Sequence, residues 1–196
     1  MGDRVLTWPN LISLVRLACV PLFLYLLWGA DRPAAAAWLF AVLGATDWVD
    51  GWIARRYDQG SELGKILDPT ADRALLVAGA IALLVEDLPG LVHAFIWIVL
   101  VREVVIAVVT VGLAVAGARR IDVVWAGKAG TLAVMFSLPM LLLAHHLDGG
   151  WATAMWVGGW GFGIGGIGLG YYAAAQYVPE ARRALQEGRA ARQSVG

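Results

Sequence analysis

The chain is short of charge and almost free of cysteine. Only 15% of its residues are Asp, Glu, Lys or Arg, against about a quarter in ordinary soluble domains. Its one cysteine, Cys19, lies in an apolar run. That excludes a disulfide framework and leaves the thiol to packing. The three histidines, His93, His145 and His146, have no cysteine or acid beside them at metal-ligand spacing, so they are assigned interfacial roles rather than a zinc site. Basic and acidic residues balance at 15 each, and no nucleic-acid partner is expected. The first long apolar stretch has no small-x-small exit, so no cleavable signal is expected.

What the chain has instead is apolar sequence. Of its 196 residues 60% are hydrophobic, and the mean hydropathy is +0.69, too apolar for a soluble domain of this size. Six stretches, near 10–29, 34–56, 67–86, 91–116, 124–147 and 152–177, are long enough to cross about 30 Å of hydrocarbon. The expected fold is an all-α integral membrane bundle of six transmembrane helices. A short amphipathic lead-in at 2–9 precedes it, and a polar cytoplasmic tail at 179–196 follows a membrane domain spanning 1–178.

Arg4, Arg55, Arg56, Lys65, Arg119, Arg120, Arg182, Arg183, Arg189 and Arg192 fall at the N-terminus, in the second and fourth connections, and in the tail. The opposite side holds Arg32. Basic residues stay on the cytoplasmic side, so both termini and the second connection are expected there, in the cell (inner) membrane.

That second connection lies within the most informative stretch, Asp47 to Asp72: DWVDGWIARRYDQGSELGKILDPTAD. A carboxylate inside a membrane costs roughly 2.5–3.5 kcal/mol even on lenient scales. Asp47, Asp50, Asp68 and Asp72 therefore need compensation. Asp47 and Asp50 are three apart and Asp68 and Asp72 four apart, so each pair shares one helix face. A turn between two helices would bring the pairs together. All four donors are hard oxygens, suited to magnesium or manganese. Four carboxylates exceed what one Mg²⁺ takes, and two ions sharing a carboxylate fit better. Two-metal sites typically perform in-line displacement at phosphorus.

The pattern Asp47-x2-Asp50-Gly51-x2-Ala54-Arg55-x8-Gly64-x3-Asp68-x3-Asp72 resembles the signature of the CDP-alcohol phosphotransferase family at every defined position. The resemblance implies transfer of a phosphoalcohol from a CDP-linked donor to an alcohol, with release of CMP. It implies two Mg²⁺ or Mn²⁺ ions, one on Asp47, Asp50 and Asp68 and one on Asp47, Asp68 and Asp72. It also implies that Asp72, the last aspartate, takes the proton of the acceptor hydroxyl. Donor contacts are expected from Asn10, Ser13, Gly51, Ala54, Arg55, Ser61 and Gly64, with helix-end hydrogen bonding the plainer reading of Asn10 and Ser13. A glycine at 51 permits close backbone approach, and the fork of Arg55 suits phosphate oxygens.

Arg16, Arg102 and Lys128 are the candidates for an anionic acceptor. Each has a plainer reading: Arg16 faces acids, Arg102 pairs with Glu103, and Lys128 snorkels to the interface. The opening TWPNLISLVRLACVPLFLYLL resembles the phosphatidylglycerophosphate synthase branch, whose acceptor is glycerol 3-phosphate. The segment Gly127-Lys128-Ala129-Gly130-Thr131 resembles actinobacterial cardiolipin synthases, whose acceptor is phosphatidylglycerol. CDP-diacylglycerol is the expected donor for both.

Two other features of the chain have competing readings. An ion-coupled transporter would explain intramembrane acids, but not Gly51, Ala54, Arg55 and Gly64 at their spacings, and the chain shows no inverted repeat. The last span contains a formal G-x-G-x-x-G at Gly161, Gly163 and Gly166, but no strand precedes it. The same glycines make small-xxx-small pairs, Gly159/Gly163, Gly161/Gly165 and Gly166/Gly170, which allow close helix packing within the chain or in a homodimer. A homodimer is the expected assembly.

Overall fold

In the computed structural model the backbone is described for residues 8–57, 64–115 and 125–193, and side chains for 11–46, 71–109, 112 and 125–176. Among these residues there are six α-helices and no strand. They are α1 (Trp8–Leu24), α2 (Pro33–Tyr57), α3 (Gly64–Val85), α4 (Gly90–Val115), α5 (Trp125–His146) and α6 (Gly149–Gln193). A π-helical turn, Tyr25–Gly29, extends α1. The boundaries match the six apolar stretches to within a few residues, except at the C-terminus. There α6 continues through Pro179 to Gln193, because the polar tail is rich in Ala, Arg, Gln and Leu, all good helix formers. The amphipathic lead-in at 2–7 and the motif turn at 58–63 lie outside the described residues.

The connections among the described residues are short. Asp31 takes a left-handed φ of 52° between the π turn and α2. Gly149, with φ of +69°, turns the chain from α5 into α6, a conformation glycine adopts without steric cost. The pairing of α5 with α6 is the most extensive, and α2 packs on α5. α1 lies against both α2 and α3, while α4 leans on α3 and touches α6.

The core is built from Phe23, Phe40, Leu75, Leu76, Leu83, Ile96, Met135, Leu138 and Leu142, all fully buried. Phe23 and Phe40 stack at 5.3 Å between ring centroids. The ring of Phe40 lies over Gly79, where a Cβ would meet its Cζ at 2.5 Å. That places α2 directly on α3.

The outside is apolar too. Val15, Trp38, Leu91, Trp97, Val104, Val108, Val157 and Ile164 are all exposed. So much contiguous apolar surface would drive association in water, whereas a bilayer accommodates it. Tryptophans mark the helix ends: Trp125 opens α5 at 76% exposure, and Trp151 near the start of α6 is 74% exposed. Aromatic residues favour the headgroup level. Three stretches among the described residues, Leu11–Gly29, Gly90–Val109 and Trp125–His146, are long and apolar enough to cross a membrane by themselves. Pro33–Thr46, within α2, forms a shorter apolar segment. The chain is a multi-pass membrane protein.

Candidate active site

The motif occupies the ends of two neighbouring helices. Asp47, Asp50, Gly51, Ala54 and Arg55 lie in the last turns of α2, and Gly64, Asp68 and Asp72 in the first turns of α3. Both helices are continuous there, so the three- and four-residue spacings do put each aspartate pair on one face. The side chains of Asn10, Asp47, Asp50, Ala54, Arg55 and Asp68 lie outside the described residues, as does Ser61 altogether.

Asp72 is the described acid of the motif. Its carboxylate is 18% exposed and is paired with Arg16, whose side chain is completely buried. The bond runs from Nη1 of Arg16 to Oδ1 of Asp72. It exists because α1 packs along α3. Ser13, one turn before Arg16, is also fully buried. Arg16 thus faces an acid, as the cost of an intramembrane cation requires. Arg73, by contrast, is exposed.

A second polar cluster forms where α4, α5 and α6 meet. Nη1 of Arg102 donates to Oε1 of Glu103 at 3.0 Å, and the two side chains are 9% and 8% exposed. Nη2 reaches Oγ1 of Thr131 at 3.4 Å, whose hydroxyl donates to the Gly127 carbonyl at 3.1 Å. Nε is buried and has no hydrogen-bond partner. The self-contained ion pair is therefore real but does not use the whole guanidinium. Lys128, three residues before Thr131, is exposed.

Thr131 and Gly170 belong to this cluster; in the sequence Thr131 is only a neighbour of Lys128, and Gly170 only one half of a small-xxx-small pair. The structure sorts the glycines of α6 by face. Gly159, Gly163, Gly166 and Gly170 lie against Leu141, Ser137, Gly130 and Arg102 respectively, while a Cβ at Gly161, Gly165 or Gly168 would meet nothing within 4 Å.

Among the described residues no group of three or more His, Cys, Asp or Glu is placed to hold a metal ion; three of the four expected ligands have side chains outside those residues. The donor set itself fits a divalent cation: two same-face aspartate pairs, all hard oxygens, on helices α2 and α3 that touch.

Comparison with known proteins bears on what such a site does. A family model described as CDP-alcohol phosphatidyltransferase matches residues 6–165. The cardiolipin synthase (CMP-forming) of Streptomyces coelicolor is 38% identical over 194 residues, 94% of this chain and 86% of that protein. The CDP-diacylglycerol--glycerol-3-phosphate 3-phosphatidyltransferase of Escherichia coli is 34% identical over 193 residues, 90% of this chain and 96% of that protein.

Proposed function

The chain belongs to the CDP-alcohol phosphatidyltransferase family, and from that premise we propose that it moves the phosphatidyl group of CDP-diacylglycerol onto a glycerol-type hydroxyl. As a family member it is an enzyme that transfers substituted phosphate groups. The observation that carries the fuller reading is the eight-residue motif on the adjoining ends of α2 and α3, with its last acid, Asp72, held inside the bundle by Arg16.

In this reading the acceptor hydroxyl oxygen attacks the phosphatidyl phosphorus of the donor. The phosphorus–oxygen bond to CMP breaks, CMP leaves with the bond electrons, and Asp72 takes the hydroxyl proton. In-line attack requires the base on the acceptor side of the phosphorus. Arg16 orients the Asp72 carboxylate and balances its charge. Gly51, Ala54, Arg55, Ser61 and Gly64, with Asn10 and Ser13 from α1, hold the nucleotide and diphosphate. Asp47, Asp50, Asp68 and Asp72 are the residues that would hold two Mg²⁺ or Mn²⁺ ions. When bound, those ions supply positive charge to the diphosphate and the reacting oxygens.

Arg102 and Lys128 are assigned to the acceptor's phosphate, with Arg16 beside them. The first acceptor is glycerol 3-phosphate, supported by the opening segment and by the relative of that activity, which the match covers almost end to end. A second reading, phosphatidylglycerol, is favoured by the higher identity to the CMP-forming cardiolipin synthase. Both offer a hydroxyl on a glycerol phosphate unit, so either would present a phosphate to the same cations.

The placement of basic residues supports both termini and the motif facing the cytoplasm, in the inner membrane. The outward pair Gly161 and Gly165 of α6 supports close approach of a second copy, hence a homodimer. The test is an assay with radiolabelled CDP-diacylglycerol in detergent, offering glycerol 3-phosphate and phosphatidylglycerol separately. Labelled lipid product with CMP release is expected from one of them. No transfer to either acceptor would overturn the proposal.

A further inference from the structure

The guanidinium of Arg102 is held from three sides. Glu103 takes Nη1 and Thr131 takes Nη2. The third neighbour is the backbone of Gly170, where a Cβ would fall 2.6 Å from Nε, 2.8 Å from Nη2 and 3.0 Å from Cζ. Real Cβ atoms do not come that close to a buried group unless something moves. Here the group that would move is wedged between a carboxylate and a threonine.

Gly170 reaches this position because α5 and α6 cross on glycine. A Cβ on Gly130 would lie 2.7 Å from the Gly166 carbonyl oxygen and 3.1 Å from the Gly170 nitrogen, and a Cβ on Gly166 would lie 2.8 Å from the Gly130 carbonyl oxygen. Two helix backbones in direct contact place the next turn of α6 against the side chain rising from α4. Thr131, adjacent to Gly130, is set by the same crossing.

The arrangement leaves one donor over. Nε is buried without a hydrogen-bond partner; such a donor is costly, and its persistence calls for an explanation such as a ligand. It is also the guanidinium atom nearest the missing Gly170 side chain.

We propose that Gly170 is a positioning residue for acceptor binding: its bare backbone fixes the Arg102 guanidinium in the orientation that leaves the Nε donor uncommitted, for an oxygen of the acceptor's phosphate to take. This rests on the reading of Arg102 as the acceptor-phosphate ligand.

The experiment is a steady-state comparison of Gly170→Ala, Arg102→Lys and the pair Arg102→Lys/Gly170→Ala, with Arg102→Ala and Gly168→Ala alongside. Each is assayed in detergent with CDP-diacylglycerol and with whichever of glycerol 3-phosphate and phosphatidylglycerol the wild type uses. Gly170→Ala should raise the acceptor KM by at least about tenfold, the loss expected for a hydrogen bond to a charged group. The donor KM should stay within about twofold, since none of the donor contacts is on α6. Gly168→Ala, whose Cβ meets nothing, should match wild type.

In the Arg102→Lys background the same alanine should change the acceptor KM by less than about twofold, because lysine has neither the Nε donor nor the planar fork. If Gly170→Ala does not fold while the lysine pair does, the conflict is with the guanidinium, as proposed. If neither folds, the glycine serves helix packing alone and the proposal is overturned. It is equally overturned if Gly170→Ala leaves the acceptor KM unchanged, raises both KM values alike, or costs the same in both backgrounds. An Arg102→Ala variant with a normal acceptor KM would instead remove the reading of Arg102 on which the inference rests.

Discussion

Arg16 and Arg102 invite comparison because so much about them is alike. Each is buried against a carboxylate, and each lies 12 or 13 residues from the helix end opposite the motif turn, at Gly29 and Gly90. At 1.5 Å per residue that is a shared depth of about 20 Å. Their partners differ. Arg16 reaches across 56 residues to Asp72, so its bond exists only in the folded bundle and ties α1 to α3. Arg102 turns to its sequence neighbour, which ties no helices together. Its surroundings, Thr131 and Gly170, come from two other helices. A buried ion pair is weak evidence for stability, since desolvation offsets much of the attraction. The long-range pair suits an orienting role for the acid it holds. The local pair suits a neutralised cation that waits for a second anion.

The comparison breaks most sharply at the motif. Asp72→Asn is expected to lower kcat by at least about a thousandfold, within the range for loss of a general base, while CDP-diacylglycerol binding stays measurable by titration. Near-normal kcat would remove Asp72 from catalysis. Loss of donor binding as complete as that in Asp47→Asn would make it a ligand rather than a base. Removing divalent ions with EDTA should abolish turnover by either acceptor, and Mg²⁺ or Mn²⁺ should restore it. Full turnover by stripped enzyme would sink the metal assignment to Asp47, Asp50, Asp68 and Asp72.

The two arginines can then be set against one another. Arg16→Ala removes the cationic partner of a mostly buried carboxylate, a loss that costs about 3–5 kcal/mol in comparable cases. A lower unfolding temperature and a fall in kcat are expected together. Arg102→Ala should raise the acceptor KM by about tenfold or more, with kcat and donor KM less affected. If the two variants show the same kinetic signature, the division of labour between the clusters is wrong.

How legible this was in the sequence depends on the range of the interaction. Six helices could be read because apolar runs and Gly/Pro/Asp breaks are local. The pairing of spacings at Asp47/Asp50 and Asp68/Asp72 could be read because helix periodicity is local too. That Arg16 faces acids or a phosphate followed from cost, but that its partner is Asp72 required the packing of α1 on α3. The role of Gly170 could not be read, because Gly159, Gly163, Gly166 and Gly170 differ from Gly161, Gly165 and Gly168 only in the direction they face. That direction is set by the α5–α6 crossing. The continuation of α6 past Pro179 could not be read from the apolar runs, because the tail is polar while its residues still favour a helix.

The smallest expected effect belongs to Lys128, and it separates the two kinds of cation. Lys128 is exposed near the start of α5, three residues before Thr131 and so on a neighbouring stretch of the same face. Its long stem can carry the ammonium either to the lipid headgroups or toward the acceptor's phosphate. An exposed cation attracts a phosphate weakly, by up to about 1 kcal/mol, and salt screens that attraction over about 10 Å at 0.1 M. Lys128→Ala should therefore raise the acceptor KM only about two- to fivefold at low ionic strength, with the donor KM unchanged. The difference from wild type should shrink as salt is added. The effect of Arg102→Ala should persist in the same titration, because its guanidinium is shielded from solvent by α5 and α6. A Lys128→Ala enzyme with a wild-type acceptor KM at low salt would leave Lys128 as a snorkelling charge. A salt-independent loss as large as that of Arg102→Ala would place both cations in one buried site and erase the distinction.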